Sequence, residues 1–136
     1  MANTTRENLL NNIKATLEGV TSIKYVEIDR MQAPDYATTP FPCAFIYSGA
    51  ETRVEGIIGR ETWSSLFYIE IWTSGGNIEQ FLGLVHTAMH SDYKRGEYAT
   101  DSYRTGVDFF YIDPTRDLKG CLIEYTVIYD HISGAP

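Results

Sequence analysis

His86 and His90 stand four residues apart in the stretch HTAMH, a spacing that sets two imidazoles on one side of a helix where they can share a metal ion. A metalloprotease helix of that kind also carries a glutamate directly after its first histidine as general base, and here that position holds Thr87. The two rings are therefore expected to flank the apolar stripe of Val85 and Met89 with no metal between them. His131, the remaining histidine, lies at the end of the last strand-like run, away from this pair. Cys43 and Cys121 both fall inside apolar runs, where a thiol behaves as a small buried hydrophobe and not as an attacking thiolate. There is no G-x-S-x-G elbow, and Gly75-Gly76 ahead of a helix lacks the rest of a dinucleotide or Walker phosphate loop. Glu70 and Glu124 could oppose each other on neighbouring strands, but carboxylates on a sheet without a pocket are expected to line a solvated or interface face. These residue types predict a chain that is not an enzyme and binds neither cofactor nor metal.

The elements that carry these residues follow from periodicity. Thr4-Thr5-Arg6-Glu7 fits a capping box, and Leu9, Leu10, Ile13, Leu17 and Val20 recur at helical spacing until Gly19 ends the helix. A strand is expected from Ile23 to Arg30, then a loop holding Pro34, Pro40 and Pro42, then an almost wholly apolar and hence central strand from Cys43 to Gly49. The stretch Ala50 to Glu61, with Gly56 and Gly59 around Ile57 and Ile58, reads as the tip of a long hairpin leading into the alternating strand Ser64 to Thr73. The second helix is expected over Asn77 to Asp92, with Asn77 as N-cap, Gln80 completing a capping box, and a stripe of Phe81, Leu82, Val85, Ala88 and Met89. Tyr93 to Gly106 reads as a polar connecting loop, Val107 to Ile112 as the fourth strand, Asp113-Pro114 as a turn, and Lys119 to His131 as the last strand, before a frayed tail from Ser133. The pattern predicts an α+β fold, a single mostly antiparallel β-sheet with two α-helices packed on one face and a long β-hairpin arm. Its expected core includes Leu10, Ile13, Leu17, Phe81, Val85, Met89, Ile69, Ile71, Ile123 and Val127.

Composition narrows the functions open to such a fold. The chain of 136 residues reads as one domain over residues 1–136, long enough to bury roughly two thirds of its unfolded surface. A net charge of −7 argues against gripping nucleic acid, which needs clustered Lys and Arg to displace counterions. The cysteines suit a reducing compartment, and no apolar run approaches the ~18 residues of a membrane span.

The strand faces turned away from the helices are not simply polar. Tyr68, Trp72, Leu122 and Ile128 alternate into the same face as Glu70, Glu124, Thr126 and Asp130, as expected of a surface that meets a protein partner. Together with the hairpin tip, this makes Arg53, Val54, Ile57, Ile58, Arg60, Tyr68 and Trp72 the candidate interface residues.

The element order, the arm RVEGIIGRETWSSLFYIEIW, the helix IEQFLGLVHTAMHSD and the closing DPTRDLKGCLIEYTVIYDH resemble the tail terminator family of long-tailed bacteriophages, the tail-completion or minor tail protein U-like proteins. The likeness runs from about Arg6 to His131 and is one of pattern, without a catalytic signature. It implies a virion protein at the head-proximal end of the tail, assembled in the host cytoplasm. Such subunits close into a homo-oligomeric ring, a hexamer, which caps the tail tube, ends its polymerisation and offers the docking surface for the head. The implied partners are further copies of the chain, the tail tube protein and a head-tail connector or neck protein. DNA passes through the ring without specific binding, which an acidic chain favours because it repels phosphate. Two other readings remain open at this point: another head-tail connector or a tail-tube component, and a small soluble ligand-binding module or enzyme using the helix histidines. A closed ring has a discrete mass, a tube subunit polymerises further, and a binding module presents a concave pocket.

Overall fold

The structure is a computed structural model that describes residues 4–29, 40–57, 60–74, 78–113 and 117–132. In chain order the elements are α1 (Thr5–Glu18), β1 (Tyr25–Ile28), β2 (Cys43–Ile57), β3 (Arg60–Ser74), α2 (Ile78–Ser91), β4 (Asp101–Asp113) and β5 (Leu118–Ile132). The five strands form one sheet in the order β1-β2-β3-β5-β4. Only β1 and β2 run parallel, and every other neighbouring pair is antiparallel. This is the expected α+β architecture. It places β5 between β3 and β4, so α2 carries the chain over the position that β5 later fills.

Local chemistry starts α1 where the sequence indicates. Thr4 Oγ1 accepts the Glu7 N–H at 3.1 Å while the Glu7 carboxylate accepts the Thr4 N–H at 3.4 Å, so two otherwise orphaned donors are satisfied. The corresponding cap at Asn77 lies outside the described residues, as do the proline-loop position Pro34, the turn residue Pro114, the Gly75-Gly76 pair and the tail. One core joins both helices to one face of the sheet. Leu9, Ile13 and Leu17 come from α1, Leu82, Val85 and Met89 from α2, and Ala44, Ile46, Phe67, Ile69, Ile71, Cys121, Ile123 and Val127 from the strands. Each fully buried aliphatic or aromatic side chain stabilises this layer by about 1.5–3 kcal/mol. Leu10 and Phe81, expected inside, are half-buried, whereas Leu9 and Leu82 beside them in the same expected stripes are buried. A step of about 100° per residue puts Leu10 and Phe81 at the margin of stripes centred on Leu9, Ile13 and Leu17 and on Leu82, Val85 and Met89.

Three expected boundaries are corrected. Strand β1 is shorter than Ile23 to Arg30 and gives way at Asp29, whose φ of 52° is left-handed. The connecting loop does not extend to Gly106, because β4 begins at Asp101 and its first half pairs with Tyr125 to Ile128 of β5. A register shift between Arg104 and Gly106 breaks the alternation there, and the outer edge position lets polar residues occupy the strand. The shorter loop, though polar, buries Arg95 and Ala99.

The third correction concerns the arm. Ala50 to Ile57 is strand and not hairpin tip, paired with β3 as far as Ile57 and Arg60. On its other side β3 is followed along its whole length by β5, from Ser74 with Leu118 to Arg60 with Ile132. The projecting part of the sheet is thus three-stranded. A 15-residue strand such as β3 spans about 50 Å, whereas a 14-residue helix spans about 21 Å, so the helix layer covers less than half of the sheet's length.

Candidate functional site

Two irregularities in β2 set the character of the arm. Ser48 pairs with Phe67 and Glu51 with Ser65, so β2 uses three steps where β3 uses two. The extra residue slips the parity of β2, and Glu51 takes the helix-side place that an unbroken alternation would give Ala50. A second slip between Arg53 and Glu55 leaves Val54 as the unpaired residue, and its side chain is 60% exposed.

At the base of the arm the first slip builds a polar row across three strands. The Tyr129 hydroxyl donates to the Glu51 carboxylate, and Ser65 Oγ lies 3.0 Å from the same hydroxyl and 3.3 Å from the Glu51 oxygen. Burial, together with the bond to Glu51, pushes the Tyr129 phenol well above the ordinary tyrosine range. Arg6 of α1 ties the row to the helix layer. Its guanidinium stands 3.5 Å from the Glu51 carboxylate, donates to the Gly49 carbonyl at 2.8 Å and lies over the Phe67 ring at 5.6 Å.

The sheet face turned away from the helices carries its own apolar cluster. Cys43, Phe45 and Trp72 are buried there, flanked by Phe41, Tyr47, Phe110 and Ile112. Phe45 meets Trp72 edge to face at 5.8 Å and Tyr25 at 6.4 Å. Gly120 lies opposite Trp72, and the Phe110 ring covers it so closely that a Cβ there would stand 2.5 Å from ring carbons. The indole N–H of Trp72 donates to Glu70 at 2.7 Å.

The seven sequence-derived interface candidates therefore divide. Arg53 and Val54 are exposed on the arm. Ile58 lies outside the described residues, as do the side chains of Ile57 and Arg60. Tyr68 is half-buried over Gly49, where an added Cβ would stand 2.7 Å from its ring. Trp72 does face away from the helices but is not exposed there: it is 5% exposed, because Phe45 from β2 and Phe110 from β4 close over it. Strand β4 supplies the exposed aromatics that sequence reasoning missed, with Phe109 half exposed and Tyr111 75% exposed beside a recess of about 280 Å³ that Ile78 and Phe110 also line. The signal was present in the run VDFFY, whose successive aromatics cannot all face one core.

The candidate chemical residues are placed as follows. Tyr68, not Glu70, pairs with Glu124, so the two glutamates are diagonal neighbours on one face. Each of the two already accepts hydrogen bonds, Glu70 from Trp72 and Glu124 from Thr105. Cys121 is fully buried on the helix side, and burial pushes its thiol up to about 11. His86 and His90 are exposed on α2, stacked with ring centroids 6.2 Å apart, and Tyr93 follows 6.4 Å from His90. Among the described residues, no group of three or more His, Cys, Asp or Glu side chains converges as a metal-ligand set. Among them, too, no helix is long and apolar enough to cross a membrane.

Comparison with protein-family models and with curated proteins returns no match. Among solved structures, a chain from a particle described as the virion of a native gene transfer agent is similar in course. The alignment covers 94% of this chain and 92% of that one, at 9% identity and a TM-score of 0.43.

Proposed function

We propose that the protein is a virion assembly subunit, a tail terminator whose copies close into a hexameric ring that caps the tail tube and receives the head. The observation that carries this reading is the separation of two unlike exposed surfaces on one sheet. The arm presents Arg53 and the bulged Val54 beyond the helix layer, and the opposite edge strand presents Phe109 and Tyr111. Ring closure needs heterologous contacts, in which one patch of each subunit meets a different patch on the next. The polar row of Arg6, Glu51, Ser65 and Tyr129 suits an arm that must hold its direction when a neighbour docks on it. The net charge of −7 suits a lumen through which DNA slides without being held.

The test is the mass of the purified protein by light scattering over a range of concentrations, for the native chain and for Val54→Asp. The native chain is expected as a discrete hexamer. The variant is expected to stay folded by circular dichroism and to remain monomeric, since a carboxylate on the arm has to be desolvated at every contact of the ring. A native chain that polymerises without limit would favour a tube subunit. One that stays monomeric in the presence of tail tubes, and does not cap them, would rule the reading out.

A further inference from the structure

We propose that the recess between the C-terminal half of α2 and strands β4 and β5 binds a carboxylate, presented by an acidic side chain of a protein partner. The recess has a volume of about 150 Å³ and is lined by His86, Met89, His90, Ser102, Arg104 and Tyr125. At its wall Tyr125 is 2% exposed, and its hydroxyl is a buried polar atom with no hydrogen-bond partner. Leaving such a hydroxyl unpaired is costly, and an acceptor placed in the recess would recover that cost. The groups around it are donors and cations. Arg104 pairs with Tyr125 across the β4–β5 ladder; burial pushes the Tyr125 phenol up to about 12, which keeps it a donor, and the nearby Arg104 and Arg95 guanidiniums only partly oppose that shift. The stacked imidazoles of His86 and His90 face the same space from α2. Ser102 has already donated its hydroxyl to the Tyr93 carbonyl at 2.7 Å, so the donors left for a ligand are those of Arg104, the imidazoles and Tyr125.

The size and surroundings select the ligand class. A volume of 150 Å³ has room for about five water-sized groups, enough for a side-chain carboxylate but not for a nucleotide. A planar carboxylate accepts from the fork of a guanidinium and from a phenol at once. A polyanion such as nucleic acid would instead meet the field of a chain carrying −7. Exposed Tyr103 of β4 also lines the recess, and exposed Leu84 of α2 and Tyr93 just beyond its end lie on the surrounding segments, giving the apolar and aromatic setting in which a protein side chain docks. This inference does not depend on ring formation, since the recess lies under α2 and away from the arm.

The experiment follows the imidazole proton signals of His86 and His90 by NMR at constant ionic strength. Sodium chloride is replaced in turn by acetate, by a capped tripeptide containing one glutamate, and by inorganic phosphate. Acetate and the peptide are expected to give saturable shifts, and Arg104→Gln and Tyr125→Phe are each expected to weaken both by about tenfold, the worth of one charge-assisted hydrogen bond. Circular dichroism should be unchanged in both variants, because Arg104 is exposed and Phe keeps the buried ring of Tyr125. Shifts that grow linearly without saturation, saturation by phosphate alone, or saturation that survives both substitutions would overturn the carboxylate site. Binding of acetate without binding of the peptide would overturn a protein side chain as its source.

Discussion

Tyr129 of β5 donates its hydroxyl to Glu51 of β2 across the intervening strand β3, joining residues 78 positions apart in the chain. The bond exists because a bulge between Ser48 and Glu51 turns the carboxylate to the helix side, where Ser65 and Arg6 also reach it. Removing it should loosen the arm from the helix layer. Glu51→Ala is expected to cost about 2 kcal/mol, since it strips a buried phenol and a serine of their shared acceptor. Glu51→Gln keeps an acceptor and should recover most of the loss. Urea unfolding checks the energies, and hydrogen exchange at Glu51 to Arg53 should quicken in the alanine variant before the helices are affected.

Gly120 is expected to tolerate no side chain. A Cβ would meet the Phe110 ring at 2.5 Å and the Ile71 carbonyl at 3.1 Å, so Gly120→Ala should destabilise by about 1–3 kcal/mol. Phe110→Ala in the same chain should relieve part of that clash. The double variant is then less destabilised than the sum of the two single ones, and a thermodynamic cycle measures the difference.

Arg95 is fully buried and donates to the Met89 carbonyl and sulfur in the last turn of α2, serving as a side-chain cap. Burial lowers its pKa, and Asp92 opposes that shift. Asp92 is itself held below the ordinary aspartate range, its own burial being outweighed by hydrogen bonds from Gly96 and Asn12 and by the Arg95 charge. Arg95→Met should cost roughly 2–4 kcal/mol, because it leaves a helix-end carbonyl without a donor and Asp92 without its cation. The loss should show in thermal unfolding, with hydrogen exchange rising first in the last turn of α2.

Alkali should unfold the protein earlier than its carboxylate content suggests. Burial raises the Cys121 thiol from 9.0 to about 11 and the Tyr125 phenol from 10.0 to about 12, and Tyr129 moves in the same direction. A group whose folded pKa is raised contributes stability below its unfolded pKa and loses it as pH rises through the folded value. Stability should therefore hold up to pH 9.0 and decline as pH rises from there through about 11 and 12. Urea midpoints across that range, with phenolate absorbance recorded in parallel, give the check. Both buried thiols should also resist alkylation until denaturant is added.

Much of the helix-side core was legible in the residues themselves. Phe67, Ile69 and Ile71 alternate with Tyr68, Glu70 and Trp72, and Ile123, Tyr125 and Val127 flank Glu124 and Thr126, so a period of two shows which side of each strand is buried. The Thr4 to Glu7 cap was readable for a similar reason, since both of its bonds close within one helical turn. The arm's polar row was not legible. Alternation counted along β2 alone places Ala50 inward, and only the pairing with β3 shows that one residue is bulged and Glu51 takes its place. Trp72 failed for a related reason, because its strand pattern points it outward correctly while Phe45 and Phe110, arriving on other strands, bury it. The buried Arg95 had no sequence signal at all, as a charged residue in a polar loop reads as solvated until a helix end is folded against it. Patterns local to one strand or one turn determine periodicity and caps, whereas bulges, second-face clusters and buried charges depend on which distant backbone lies alongside, and that is decided when the sheet is assembled.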